Sequence, residues 1–321
     1  MARLNPQQTS FSTFATHTST RAEESPQDKP STCEHTTSFI PGAVGIVGLG
    51  LIGGSFAKAL CQDAQKLYLF NRNQEVMKQA CADCHALVLD NENISKCELI
   101  ILAAYPHANE TWLEQNADKI SPDALVIDTG GVKRTTCRRC FALARDYQWE
   151  FIGCHPMAGT QYSGFAHARA NMFHHAPMVV VFPDSYTSRQ QEQLCLRLQK
   201  LLASCKFGSY RCTNAQFHDQ QIAYTSQLAH VVSNAYVKSP AAQAHKGFSA
   251  GSYKDLTRVA RLNADMWTEL FLANKDNLSH EISLMISHLQ QYKDALDSAD
   301  ERMLHRLLAE GDALKKKAEQ S

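Results

Sequence analysis

The 321-residue chain carries no net charge: 32 Lys and Arg balance 32 Asp and Glu. Without a global field, it has no long-range attraction for nucleic acid or an anionic membrane. Any pull on an anionic ligand must come from local groups. An apolar run suited to a secretory signal or a membrane span is also missing. Residues 41–60 come nearest, with Lys58 as their only charge. Their glycine density and lack of flanking anchors argue against a span. Residues 1–40 have few large apolar side chains and are rich in Ser, Thr, Gln and Pro, so they read as a disordered tail. The first 22 residues hold two arginines and no acid. That composition faintly resembles an organellar transit peptide, but a plain tail is the preferred reading.

Cysteine is not scarce. Eleven are spread through apolar segments, an odd number and not a compact disulfide scaffold. They read as reduced thiols of a cytoplasmic protein. The pairs Cys81/Cys84 and Cys137/Cys140 sit in helix-like runs without supporting histidines, so no metal site is expected. With 44% hydrophobic and 20% charged residues, the length suits about two globular domains.

The strongest local pattern is Gly48-Leu49-Gly50-Leu51-Ile52-Gly53, preceded by a short β-branched run and followed by a helical one. Gly48 allows a tight turn, and Gly50 lets a pyrophosphate approach the backbone. Gly53 lets helix and strand pack closely, while the helix N-terminus at Leu51 and Ile52 offers free N–H groups. This is a dinucleotide fingerprint. About 20 residues on, an NAD enzyme places an acid for the ribose 2′-OH. Here the strand 66–70 is followed by Asn71 and Arg72. With no carboxylate to repel a 2′-phosphate and a guanidinium to pair with one, NADP is the expected cofactor. The alternative is NAD, with Arg72 stacked on its adenine.

Apolar runs at 66–70, 99–104, 124–128 and 178–182 alternate with helix-like stretches at 73–83, 107–118 and 133–147. Such alternation predicts βαβ units, a parallel sheet and an α/β, Rossmann-type doubly wound fold over 41–186. Tyr105 and the loop Thr129-Gly130-Gly131 then lie at the carboxyl edge, where ligands bind in such sheets. Stretches 187–205, 214–238, 254–275 and 277–297 have helical periodicity, and 300–321 reads as a final helix. The second domain, 187–321, is therefore expected to be all-helical. Its broad apolar face predicts a homodimer.

A second loop, Gly153-Cys154-His155-Pro156-Met157-Ala158-Gly159-Thr160-Gln161, contains a histidine pinned by a proline. Proline pushes its predecessor out of the helical region, so His155 is expected to end a strand and point into a loop.

The order of these segments resembles the prephenate/arogenate dehydrogenase family of tyrosine biosynthesis, over residues 43–297. The motifs are the glycine fingerprint and Asp128-Thr129-Gly130-Gly131-Val132-Lys133, then His155 to Gly159. Tyr224 to His230 follow, then Asp255-Leu256-Thr257-Arg258 with Met266-Trp267. The resemblance implies oxidative decarboxylation of a small-molecule cyclohexadienol, prephenate, to 4-hydroxyphenylpyruvate with hydride transfer to NAD(P). It implies that His155 is catalytic and that Arg258 binds substrate carboxylate. His230, Asp255, Trp267 and Thr160 are implied on the substrate side. Lys133 is expected to face the cofactor.

Two positions depart from the family. Gly131 stands where relatives carry a serine that hydrogen-bonds the ring hydroxyl; a backbone N–H, a water or Thr129 would have to substitute. Gln161 stands where some relatives carry an acid. A neutral amide gives no attraction to the ammonium of arogenate, which favours prephenate. Arogenate remains the alternative, as does a non-catalytic NAD(P)-binding sensor, which Gly131 would permit. Reductases of 3-hydroxy acids or pyrroline carboxylate share the architecture but would lack the joint His155/Arg258 pattern. Asp255 could simply cap a helix, His230 could be a core histidine, and Trp267 could be packing.

Overall fold

The structure is a computed structural model that describes residues 13–14, 39–64, 66–160 and 162–320. Gln161 and most of the 1–40 tail lie outside them. The chain divides into two compact units, Met1–Asp219 and Gln220–Ser321.

In the first unit the elements run β1 (Thr13–Phe14), β2 (Ile40–Val47), α1 (Leu51–Leu60), β3 (Lys66–Phe70), α2 (Gln74–Cys84), β4 (Leu87–Val88), β5 (Cys97–Leu102), α3 (Pro106–Asn116), β6 (Leu125–Asp128), α4 (Arg134–Tyr147), β7 (Glu150–Pro156), β8 (Pro177–Val181), α5 (Ser188–Leu201) and β9 (Ser209–Thr213). The strands share one sheet, ordered β1-β9-β8-β7-β6-β5-β2-β3-β4. Chain order reverses between β2 and β5, the switch point of a doubly wound sheet. Strand period two sends Val44, Ile46, Leu99, Ile101 and Ile127 to one core, with α1, α2 and α5. Ala43, Val47, Ile100, Leu102 and Val126 go to the other, with α3 and α4. Burial on both faces is why these strands read as near-continuous apolar runs.

Three expectations are corrected. The sheet is mixed: β8 runs antiparallel to β7, and β1 antiparallel to β9. Between β7 and β8 there is no crossover helix, only a 3-10 turn, Phe165–His167, packed on α1, so the chain reverses direction. The first unit also extends past 186. Strand β9 pairs with β8, and α5 packs Cys195 and Leu198 into the first core. Third, the stretch 254–275 is not one helix. It breaks after Arg258, and Asn263 restarts it by accepting from Met266 N. Within the 1–40 tail, Thr13–Phe14 pair with β9.

Helix α6 (Ala215–Ile222) leads into the second unit. There a π turn (Ala223–Leu228) continues into α7 (Ala229–Tyr236), followed by α8 (Gly251–Thr257), α9 (Ala264–Ala273), α10 (Lys275–Asp297) and α11 (Glu301–Glu319). No residue of α8 or α9 is fully buried. Ile286, Leu289 and Leu296 on α10 are each about 60% exposed. No described helix is long and apolar enough to cross a membrane.

Candidate active site

The glycine loop has the shape its spacing predicts. Gly48 has φ +92°, and a Cβ there would lie 2.5 Å from Ala104 N. A Cβ on Gly53 would lie 1.8 Å from Gly48 O, so α1 packs on the loop only through glycine. A Cβ on Gly50 would meet nothing within 4 Å, which leaves its backbone face open. The first-turn N–H groups of Leu51, Ile52 and Gly53 have no helical acceptor, by position. This cradle fits a dinucleotide pyrophosphate.

Asn71 braces that cradle: its Oδ1 accepts from Leu49 N at 3.1 Å and its Nδ2 donates to Asn73 O at 3.2 Å. Arg72 beside it is exposed. Across the switch point, Asn109 accepts from Ala104 N and donates to Ala104 O, both at 3.0 Å, holding the loop that carries the half-exposed Tyr105. Asn109 is not singled out by the sequence, because one asparagine on a helix has no distinguishing pattern.

His155 sits near the end of β7, paired with Val179 of β8 and partly exposed. Period two puts it on the same face as Phe151 and Gly153, toward α4. Its Nδ1 lies 2.9 Å from Nε2 of His218. Nδ1 of His218 lies 2.7 Å from Oδ1 of Asp219. That carboxylate also accepts from Lys133 N at 2.8 Å and Arg134 N at 2.9 Å, so it caps α4. Below them the buried ammonium of Lys133 pairs with Asp128, which further accepts from Gly130 N at 2.9 Å and Cys154 N at 3.1 Å. A Cβ on Gly153 would lie 2.4 Å from Cys137 Sγ and 3.3 Å from Lys133 Cδ, so glycine leaves room for the thiol beside the lysine stem.

The electrostatics follow. Burial, the neighbouring His218 and the Lys133 charge hold the His155 imidazole well below its usual value. His218 is lowered by burial and Lys133, and Asp219 offsets this only in part. Burial pushes Asp219 up, but hydrogen bonds from His218, Arg134 N and Lys133 N outweigh it and hold the carboxyl below its ordinary range. The result is a neutral imidazole whose second nitrogen is free to accept a proton.

In the second unit, His230 and Trp267 stack with ring centroids 3.9 Å apart. His230 Nδ1 lies 2.8 Å from Ser226 O, so it carries the proton and leaves Nε2 as an acceptor. Burial and the Arg258 charge lower its pKa. Arg258 is exposed, at the C-terminal cap of α8. Asn234 donates to Ala260 O at 3.1 Å, fixing the chain just past Arg258. The structure thus brings His230, Trp267 and Arg258 together.

Other expected site residues are placed differently. Lys133 is fully buried, and its ammonium is paired with Asp128 at the end of β6. Thr129 donates its hydroxyl to Leu102 O at 3.2 Å, which leaves that oxygen only as an acceptor. Asp255 lies inside α8, whose N-cap is Ala250, so it caps nothing. Gly131 is partly exposed in the loop before α4, and Thr160 is exposed with its hydroxyl accepting from Tyr162 N at 3.2 Å. Among the described residues, no three His, Cys, Asp or Glu side chains group as metal ligands. The sequence reading passed over His218 and Asp219. The adjacent His-Asp pair at the start of a helical run is the available signal.

Comparison with known proteins agrees with this geometry. The family model "Prephenate dehydrogenase, nucleotide-binding domain" matches residues 56–206, and "Prephenate dehydrogenase, dimerization domain" matches 214–310. A cyclohexadienyl dehydrogenase of Zymomonas mobilis is 27% identical over 269 residues, covering 80% of this chain and 89% of the relative. A prephenate dehydrogenase of Lactococcus lactis is 26% identical over 285 residues, covering 85% and 77%. The crystal structure of prephenate dehydrogenase from A. aeolicus with hydroxyphenyl propionate and NAD+ has a like fold. Its TM-score is 0.74 at 24% identity, over 88% of this chain and 99% of that one. The chain is an NAD(P)-dependent oxidoreductase and belongs to the prephenate dehydrogenase family.

Proposed function

We propose that the protein oxidatively decarboxylates prephenate to 4-hydroxyphenylpyruvate. The observation that carries this reading is His155, a neutral imidazole at the carboxyl edge of the sheet that also carries the glycine cradle. The cradle of Gly48, Gly50, Leu51, Ile52 and Gly53 holds the dinucleotide, with Asn71 bracing it. Bound NAD(P) supplies the hydride acceptor. His155 takes the proton of the ring hydroxyl as hydride leaves the carbon that bears it. The carbonyl-like centre so formed draws in the electron pair of the ring carbon–carboxylate bond. Carbon dioxide leaves and the ring becomes aromatic. His155 then returns its proton to the phenolate oxygen. Arg258, a planar fork of donors, binds a substrate carboxylate, with His230 and Trp267 beside it.

NADP is the preferred dinucleotide in this reading. The turn after β3 reads Asn71-Arg72-Asn73, with no carboxylate to repel a 2′-phosphate and an exposed guanidinium to bind one. Gln161 favours prephenate over arogenate, since a neutral amide offers the arogenate ammonium no counter-charge. The protein acts as a cytoplasmic homodimer through the helical unit. The exposed leucines and isoleucine of α10 and the matched dimerization-domain model support that assembly.

The test is absorbance at 340 nm with prephenate and arogenate, each with NAD and NADP. Turnover of prephenate with NADP above NAD is expected. Turnover of arogenate alone would overturn the substrate, and cofactor binding without any turnover would make the protein a sensor.

A further inference from the structure

The sequence of donors behind His155 has a direction. Asp219 is an acceptor only, held ionised by three N–H donors besides a histidine. His218 Nδ1 must therefore carry a proton and donate it to Asp219. A neutral His218 then has a lone pair on Nε2, and the nitrogen 2.9 Å away is His155 Nδ1. That nitrogen must be the donor, so the proton of His155 sits on Nδ1 and its Nε2 lone pair is free. Hydrogen-bonding the far nitrogen of an imidazole fixes which nitrogen does the chemistry.

We propose that His218 and Asp219 are positioning residues that lock His155 in the Nδ1–H tautomer, making its Nε2 the acceptor for the substrate hydroxyl proton. The proposal rests on the dehydrogenase reading above and deepens it. Gly131 makes the relay matter more, since that loop position has no side chain to share the ring hydroxyl with His155. His155 and His218 share a T-shaped contact, 5.2 Å between centroids at 63°, so the pair also packs edge to face. The charged groups facing the pair are Asp219 from α6, Lys133 and Arg134 from the start of α4, and Asp128 from the end of β6. Lys133 opposes a proton on either ring. Asp219 and Asp128 favour one on His218. The relay therefore fixes the tautomer while the base stays uncharged.

The decisive measurement is made on the wild-type protein, with a variant used only for assignment. Long-range 15N–1H spectra of the histidine-labelled, full-length protein at pH 8, assigned with His155→Asn, report which ring nitrogen carries the proton. A proton on Nδ1 of His155 is expected; a proton on Nε2 overturns the proposal whatever the activity. His218→Leu removes the acceptor, and His218→Gln keeps one in its Oε1. Loss of roughly tenfold to hundredfold in kcat with less than about threefold change in KM is expected for Leu, with substantial recovery for Gln. Nδ1–H retained in the Leu variant, or equal losses in both variants, would reduce His218 to packing. If the tautomer is as stated but the wild type turns over neither prephenate nor arogenate, the functional reading fails and the relay stands.

Discussion

Asp219 and Lys133 are linked through backbone and not through charge: the carboxylate accepts the Lys133 amide proton at 2.8 Å, while the Lys133 ammonium is paired with Asp128. One lysine thus ties together two carboxylates, one capping α4 and one under β7. The catalytic histidine is framed by both.

Breaking the buried pair should be costly. Lys133→Met leaves Asp128 without its counter-charge in a dry site, and a loss of about 3–5 kcal/mol is expected. Urea denaturation of Lys133→Met, Asp128→Asn and the double variant tests this. The double variant should lose clearly less than the two singles summed.

His155→Asn should keep the fold and the dinucleotide site while removing the proton acceptor. A fall of roughly 10²–10⁴-fold in kcat is expected, with the dissociation constant for NADP unchanged. Steady-state rates and fluorescence titration of the bound dinucleotide check the two halves separately.

Arg258→Lys replaces a planar fork with a point charge. KM for prephenate should rise roughly tenfold to hundredfold while KM for NADP holds steady. A change in the cofactor constant instead would move Arg258 out of the substrate site.

Arg72→Asp should reverse cofactor choice. The carboxylate repels a 2′-phosphate and accepts from a ribose 2′-OH, so kcat/KM should fall for NADP and rise for NAD, each by roughly tenfold. The ratio of the two constants is the readout, which removes any general loss of activity.

Stability should depend on pH near neutrality. The folded pKa values of His155 and His218 lie below the unfolded value of about 6.5. The unfolded chain therefore binds more protons between those values, and stability falls as pH drops below about 6.5. Asp219, with its folded pKa also depressed, adds a second loss as pH falls below about 3.9. Urea midpoints at pH 7.5, 6 and 5 should decline in the wild type and decline less in His155→Asn.

Much of the first unit was legible because its devices are local. The glycine spacing, the Pro after His155 and the two-faced apolar strands each act within a few residues. What was missed depends on distant partners. Strand β9, Ser209–Thr213, carries Arg211 and only a weak alternation; it is a strand because β8 offers it an edge. Lys133 reads as facing the cofactor because a lysine in the loop after a strand is rarely buried. Its burial needed Asp128 five residues back and Gly153 on another strand. His218 and Asp219 lie inside a run of helical pattern, and nothing local says that they face β7. The break before α9 was readable in principle, since Asn263 is an N-cap residue type three positions ahead of Met266.

The π turn at Ala223–Leu228 can be read as a phase setting. Each helical residue turns the face by about 100°. The turn's wider winding sets the azimuth at which His230 leaves α7 to stack on Trp267. Gln227, inside the turn, is clamped to Leu270 O and Asn274, which fixes that angle. This segment should accept side-chain changes at exposed Tyr224 and Thr225 far better than the gain or loss of one residue, because an insertion or deletion there would rotate His230 off its partner while leaving the composition almost intact.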